Sequence, residues 1–277
     1  MKCIDFDKEF QRYMTVWLKD HKKEYKNYDE VEARMPEIYE AWLAAPLDWL
    51  GNKCPGEYFD QFDNPRMLVN HMEDYIKQRV SVPDMLMNRI TDLGKDSEQP
   101  LFDLLCKERA GIEAKMLAIT MLRELGSTLP VDMYIEWIKN TGDGEDELAE
   151  NALESLDSLG EQAAEKMRAA LPDATGSGKE CFCSLLCHYD DPDETVYCTI
   201  MSLLDAHPEK CAVLADYLGK LGNEKALEKL KAIAGSEETG YLDYIELRSA
   251  IEMLGGDCPE REFDANDPDY DALRGME

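Results

Sequence analysis

Apolar residues recur along the chain in sets spaced i, i+3, i+4 and i+7, the spacing of one face of an amphipathic helix. Several sets end on the same five-residue phrase, [Ile/Leu]-x-x-Leu-Gly. Before Gly126, for example, the set is Ala118, Met121, Leu122 and Leu125. Glycine adopts the left-handed conformation that ends a helix more cheaply than any other residue. The phrase therefore predicts a last helical turn and its stop.

The phrase repeats at nearly constant intervals through two thirds of the chain. Its glycine stands at positions 94, 126, 160, 222 and 255. The wide gap between 160 and 222 is divided by residues 186–190, LCHYD, which depart from the pattern and predict a kinked or bulged turn. A second apolar helical set follows the stops, so the unit is helix, tight turn, helix, loop. Such a period predicts stacked helix hairpins, because one hairpin cannot enclose its own apolar face.

These units resemble HEAT-like repeats, in particular the short bacterial kind first associated with phycobilisome lyases. The resemblance covers about residues 82–256 and implies an all-α chain folded as an α-α superhelix, an armadillo-type solenoid. Proteins of that superfamily are mostly scaffolds and binding surfaces, so the resemblance says more about fold than about function. The residues that carry it are Ile90, Leu93 and Gly94; Leu122, Leu125 and Gly126; Leu156, Leu159 and Gly160; Leu218, Leu221 and Gly222; and Ile251, Leu254 and Gly255.

Residues 1–80 lack the phrase and are predicted to form an atypical helical cap on the repeat solenoid, which spans residues 81–257 and leaves an acidic tail at 258–277. Helices are expected over residues 3–24 and 29–44, before a loop at 46–65. This loop resembles the opening block of uncharacterised bacterial HEAT-repeat proteins. It also resembles a turn of bacterial antitoxin toxin-binding domains, so a toxin-binding or regulatory role stays open beside the capping role.

The charge balance narrows the class of partner. The chain of 277 residues has 59 acidic and 30 basic side chains, for a net charge of −29. Nucleic acids and anionic membranes are bound through lysine and arginine, so this charge argues against both and favours a basic protein or peptide. The first ten residues, MKCIDFDKEF, carry charges at alternate positions, unlike a signal peptide. We therefore expect a cytoplasmic protein.

No catalytic constellation stands out in the sequence. Cys181, Cys183, Cys187 and Cys198 form the densest thiol cluster, but their spacing fits poorly with paired CxxC turns, so reduced core thiols are favoured over a zinc or redox site. The four histidines form no HExxH motif. We expect no cofactor, no metal and no catalytic residue, and an enzyme is the less favoured interpretation.

Two runs of acidic residues, at 142–150 and 190–194, fall where loops or helix starts are predicted. Acids at a helix N-terminus are favoured by the helix dipole, so capping and a solvated edge explain them. Neither run has the spacing of an EF-hand calcium loop. Docking of a basic peptide along this edge is the remaining alternative.

In stacked helix hairpins the second helices commonly line the concave face. Here they are expected near residues 129–139, 161–171, 193–205 and 224–234. The leading interpretation is a non-catalytic protein–protein interaction scaffold or adaptor, with an acidic concave surface for a basic partner. The alternative is a HEAT-fold enzyme or a lyase-like enzyme accessory. Candidate contact residues, chosen as exposed aromatics beside acids, are Asp132, Tyr134, Glu136, Trp137, Glu161, Glu165 and Glu194.

Overall fold

The computed structural model of the chain describes residues 2–262, apart from residues 22, 23, 26, 143 and 145. Throughout this described part the regular structure is helical, and the only pairing of strand type is an isolated bridge between Leu47 and Lys53. The prediction of an all-α chain is confirmed. None of the described helices is long and apolar enough to cross a membrane. Most of the predicted acidic tail, residues 263–277, lies outside the described residues.

The chain divides into two compact units, residues 1–130 and residues 131–277. The predicted boundary near residue 80 falls inside the first unit. The described helices of the first unit are α1 (Phe6–His21), α2 (Tyr28–Glu32), α3 (Met35–Ala44), α4 (Pro65–Lys77), α5 (Asp84–Asp92), α6 (Lys95–Leu105) and α7 (Ile112–Glu124). Those of the second unit are α8 (Val131–Lys139), α9 (Glu147–Leu159), α10 (Glu161–Ala170), α11 (Gly176–Leu186), α12 (Thr195–Ala206), α13 (Cys211–Leu221), α14 (Leu227–Ala234) and α15 (Tyr241–Met253).

An aromatic cluster holds the start of the first unit together. Trp42 of α3 is 1% exposed, and its ring packs edge-on to Phe6 of α1 with ring centroids 6.5 Å apart. The phenol of Tyr75 on α4 donates to the carbonyl of Ile4 and accepts from its N–H, both at 3.0 Å. Helix α4 also packs against α5, α6 and α7. The N-terminal residues are thereby fixed to the later helices of the same unit.

The helix predicted over residues 29–44 is wrong in one respect, because the structure breaks it. Helix α2 ends at Glu32, and α3 begins at Met35 with Pro36 in its first turn. Proline has no N–H to donate to the preceding turn, so it starts a helix readily but does not continue one. The loop predicted at 46–65 contains two short 3₁₀ turns, Asp48–Leu50 and Pro55–Glu57.

The predicted corners are confirmed in part, because every recurring glycine has positive φ but Gly94 and Gly160 are not left-handed as predicted. All five recurring glycines have positive φ angles, between 60° and 76°. Gly222 is left-handed with ψ 17°, whereas Gly160 has ψ −133°, a conformation essentially restricted to glycine. The divergent corner at 186–190 is different: Asp190 does not have positive φ, and Glu194, just before α12, has φ 53° instead.

The two kinds of corner should respond differently to asparagine. Asparagine tolerates the left-handed conformation, so Gly222→Asn is expected to destabilise the chain by less than about 1 kcal/mol. Gly160→Asn is expected to lose about 2 kcal/mol, because no L-residue adopts the Gly160 angles without strain. Urea unfolding followed by circular dichroism measures both variants. Equal losses at the two positions would contradict the described corner geometry.

In the second unit, contacts join groups that lie one repeat period apart. The Thr175 hydroxyl donates to the Thr141 carbonyl, 34 residues earlier, at 2.7 Å. Helix α8 packs against α9, α10 and α11, α11 packs against α12, and α13 packs against α15. Packing in this unit therefore joins α8 to α11 and α13 to α15, as well as helices that follow one another along the chain.

Candidate interaction surface

The described second helices of the second unit, α8, α10, α12 and α14, present exposed polar faces that ion pairs connect. Lys166 of α10 pairs with Asp132 of α8 at 2.7 Å, 34 residues apart. Lys229 of α14 pairs with Asp205 of α12 at 2.7 Å. Each of these pairs links one second helix to the next.

Ion pairs also reduce the negative charge that several predicted contact residues can offer to a partner. Asp132 is held by Lys166, Glu136 by Lys139 within its own helix at 3.1 Å, and Glu194 by Lys225 at 2.5 Å. Their charges are therefore partly neutralised by the chain itself. Glu161 and Glu165 are exposed on α10, and neither forms an ion pair within the part of the chain that the structure describes.

Tyr134 corrects the prediction of an exposed aromatic pair. Its side chain is 1% exposed, so it is a core residue and not a contact residue. The reason is helical spacing: Val131, Tyr134, Ile135 and Ile138 form one buried stripe of α8. Trp137 is half-buried, with its ring centroid 5.8 Å from that of Tyr134, and it alone of the two can face a partner.

Helix α9 carries the acidic face that the sequence reasoning missed. Its exposed side chains include Glu147, Glu150, Glu154 and Asp157, spaced three and four residues apart and therefore on one side of the helix. The helix has no basic residue. Asp146 caps it by accepting from the N–H groups of Leu148 and Ala149, both at 3.2 Å. The signal was present in the sequence, because the acidic spacing continues through Asp157 beyond the loop at 142–150, part of which lies outside the described residues.

Like charges at these spacings destabilise a helix by a few tenths of a kcal/mol per pair. We therefore expect Asp157→Asn to stabilise the second unit by about 0.5 kcal/mol, since Asp157 follows Glu154 by three residues and lies near the C-terminal end of α9, where the helix dipole disfavours an acid. Asp205→Asn is the matched control, because it loses the ion pair with Lys229 and should gain nothing. Thermal unfolding at low ionic strength compares the two variants, and a destabilised Asp157→Asn protein would contradict this picture of α9.

Residues of the acidic run at 190–194 form hydrogen bonds with the two helices next to their own loop. The Asp191 carboxylate accepts from the Tyr197 N–H at 2.9 Å, and Arg168 of α10 donates to the Asp190 carbonyl at 2.6 Å. These bonds fix the loop that precedes α12. Among the described residues, no three histidine, cysteine or acidic side chains are grouped as metal ligands. The Asp191 carboxylate therefore caps the first turn of α12.

The predicted thiol cluster is divided between the core and the surface. Cys183 and Cys187 are buried, and burial raises their thiol pKa values to about 12 and about 11. Cys181 is partly exposed and Cys198 is exposed. Burial also raises the pKa of Cys181, so its thiol is protonated at neutral pH and is a weak nucleophile.

In the first unit, His71 is a titratable side chain that is buried without a hydrogen-bond partner among the described residues. It is 2% exposed, lies 4.9 Å from the Tyr75 ring centroid, and neither of its ring nitrogens has a hydrogen-bond partner among the described residues. Burial lowers the pKa of His71 below its ordinary value of 6.5. The ring is therefore neutral in the folded protein at pH 7.

The lowered pKa of His71 predicts that the folded protein loses stability in acid. The unfolded chain accepts the proton at the ordinary pKa, and the folded chain only at a lower pH. Stability contributed by neutral His71 is therefore complete above about pH 7 and falls as the pH drops below about 6.5, by up to about 1.4 kcal/mol per pH unit. His71→Phe should remove this part of the pH dependence. Urea unfolding of both proteins at pH 7.5 and pH 5.5 tests it; parallel losses would contradict the assignment.

Comparisons with known proteins found no relative of this chain. No protein-family model matches the chain, and neither a curated protein nor a solved structure does so. The resemblance to HEAT-like repeats therefore stays a prediction that depends on the recurring residues of the sequence.

Proposed function

We propose that the protein is a non-catalytic interaction protein, built as a HEAT-like helical-repeat solenoid, whose second unit binds a basic protein or peptide. The solenoid is supported by the positive-φ glycine corners and by contacts one period apart, such as those of Thr175 with Thr141 and of Lys166 with Asp132. Repeat stacks of this kind offer extended surfaces for partners.

The observation that carries the proposal is the α9 face. Four exposed acids repeat along one side of a helix that has no base of its own. A face that concentrates charge of one sign in this way is complementary to a basic partner.

The set of residues proposed to contact the partner therefore differs from the set predicted from the sequence. Glu161 and Glu165 on α10 stay in the proposed surface, together with Trp137 as its aromatic residue. Asp132, Glu136 and Glu194 contribute less, since each already forms an ion pair. The centre of the proposed surface therefore moves from the second helices to α9.

The class of partner can be tested with two labelled peptides, nona-lysine and nona-glutamate, by fluorescence anisotropy. We expect the purified protein to bind nona-lysine and not nona-glutamate at about 0.01 M salt, where the Debye length is about 30 Å. Binding should disappear at about 1 M salt, where the Debye length is about 3 Å. Failure to bind nona-lysine at low salt would overturn the proposed function.

A further inference from the structure

A cavity of about 450 Å³ in the first unit is lined by the end of α1, the start of α2 and the residues that connect them. Its apolar walls come from Leu18, Tyr25, Tyr28 and Val31. Val31 is buried, Leu18 and Tyr25 are half-buried, and Tyr28 is 69% exposed at the open side. Small-molecule sites commonly have this size and a mainly apolar lining with a few polar groups. The cavity therefore suits a small ligand with an apolar body.

The polar groups that line this cavity are Lys19, His21 and Asn27, and none of the lining residues is acidic. Lys19 is exposed and forms no ion pair within the part of the chain that the structure describes. The Asn27 side-chain oxygen accepts from the Glu30 N–H at 3.0 Å, which leaves its NH₂ group as a donor. His21 donates from Nδ1 to the Trp17 carbonyl at 2.9 Å, because a carbonyl oxygen can only accept. The cavity thus offers an ammonium group and an amide donor to an acceptor on the ligand.

The charge of this segment is opposite in sign to that of the whole chain. The chain carries a net charge of −29, yet residues 19–26, KDHKKEYK, hold four lysines and two acids. The lysines at 22, 23 and 26 lie outside the described residues, so only their sequence positions enter the argument. A locally positive segment next to an apolar cavity is complementary to an anion that carries an apolar chain or ring.

We propose that this cavity binds a small carboxylic acid with an apolar body. The carboxylate accepts from the Lys19 ammonium group and the Asn27 amide, and hydrogen bonds of this charge-assisted kind are stronger than neutral ones. The apolar body covers Leu18, Tyr25 and Val31 and removes their remaining surface from water. The inference goes beyond the proposed function and does not depend on it, because the cavity belongs to the first unit and α9 to the second.

The test uses octanoate, octan-1-ol and octylammonium, which share one alkyl chain and differ in the charge of the head group. Dissociation constants for the wild-type protein are measured by NMR titration at about 0.15 M salt, where the Debye length is about 8 Å. Octanoate is expected to bind about fivefold more tightly than octylammonium, with octan-1-ol between them. If the overall negative charge decided, octylammonium would bind most tightly. The proposal is overturned if octanoate does not bind, or binds no more tightly than either of the other two.

Variants of exposed residues then locate the binding. Lys19→Gln should weaken octanoate binding about threefold and leave octan-1-ol binding unchanged. Lys8→Gln is the matched control, because Lys8 is also an exposed lysine of α1 but does not line the cavity. It should leave octanoate binding unchanged. Tyr28→Ala removes an exposed wall and should weaken all three probes by about threefold. Equal effects of the two lysine variants, or no effect of Tyr28→Ala, would show that octanoate binds elsewhere and overturn the proposal.

Discussion

Replacing Trp42 with alanine is expected to lower the stability of the first unit by about 4 kcal/mol. Trp42 is 1% exposed, and it contacts three aromatic rings: Phe6, Phe10 and Tyr39. Truncation removes the buried area and leaves a cavity between α1 and α3 that rigid neighbouring rings cannot fill. Because the chain has two units, a single unfolding curve is ambiguous. Amide hydrogen exchange read by mass spectrometry on peptides from α1 and α3 resolves the effect.

Trp49→Ala is the control for this substitution. Trp49 belongs to the same cluster, with its ring centroid 6.4 Å from that of Phe6, but it is 48% exposed. Its loss should cost about 1 kcal/mol, since much of its surface is already in water. Similar exchange rates in the two variants would show that Trp42 is not the centre of the first unit.

Gly178→Ala is expected to lower the stability of the second unit by about 3 kcal/mol. A β-carbon at Gly178 would lie 2.6 Å from the Ile138 carbonyl oxygen and 3.0 Å from that of Lys139. Both are backbone atoms at the end of α8, so relief requires α8 and α11 to separate. This shift would also move Cys181 and Ser184, which lie further along α11. Amide hydrogen exchange of peptides from α8 and α11, and the alkylation rate of Cys181, measure the two consequences.

Gly176→Ala provides a matched control in the same first turn of α11. A β-carbon there has nothing within 4 Å, so alanine should be neutral or stabilise the helix by about 1 kcal/mol. If both alanine variants behaved alike, the close approach of α11 to the end of α8 would be wrong.

The features that depend on local sequence could be predicted. Glycine is nearly alone in tolerating the corner angles, so its recurrence at Gly94, Gly126 and Gly160 indicated where helices end. The apolar spacing likewise predicted helices and no strands. The apolar spacing wrongly predicted one continuous helix over residues 29–44, where the structure starts a new helix at Met35. Pro36 marks this start, and the preference of proline for a first helical turn is also local information.

Features that depend on how helices face each other could not be predicted in the same way. The pairs Asp132–Lys166 and Asp205–Lys229 require knowledge of which helix sides adjoin, and sequence spacing alone does not give it. Tyr134 was predicted to lie on the surface because acidic residues flank it in the sequence, yet the α8 stripe buries it. The α9 face was not predicted, because the acidic run at 142–150 reads as a loop or helix start and Glu154 and Asp157 lie beyond it.

The central claim is that the α9 face, and not the overall negative charge, binds basic partners. It is tested by measuring the nona-lysine dissociation constant at low salt for two variants that neutralise four acids each. One variant changes Glu147, Glu150 and Glu154 to glutamine and Asp157 to asparagine; the other changes the exposed Glu224, Glu228, Glu238 and Glu246 to glutamine. We predict that the α9 variant weakens binding about tenfold, as four exposed ion pairs at about 0.3–0.5 kcal/mol each would give. The second variant should weaken it less than about twofold, and equal weakening by both variants would contradict the claim.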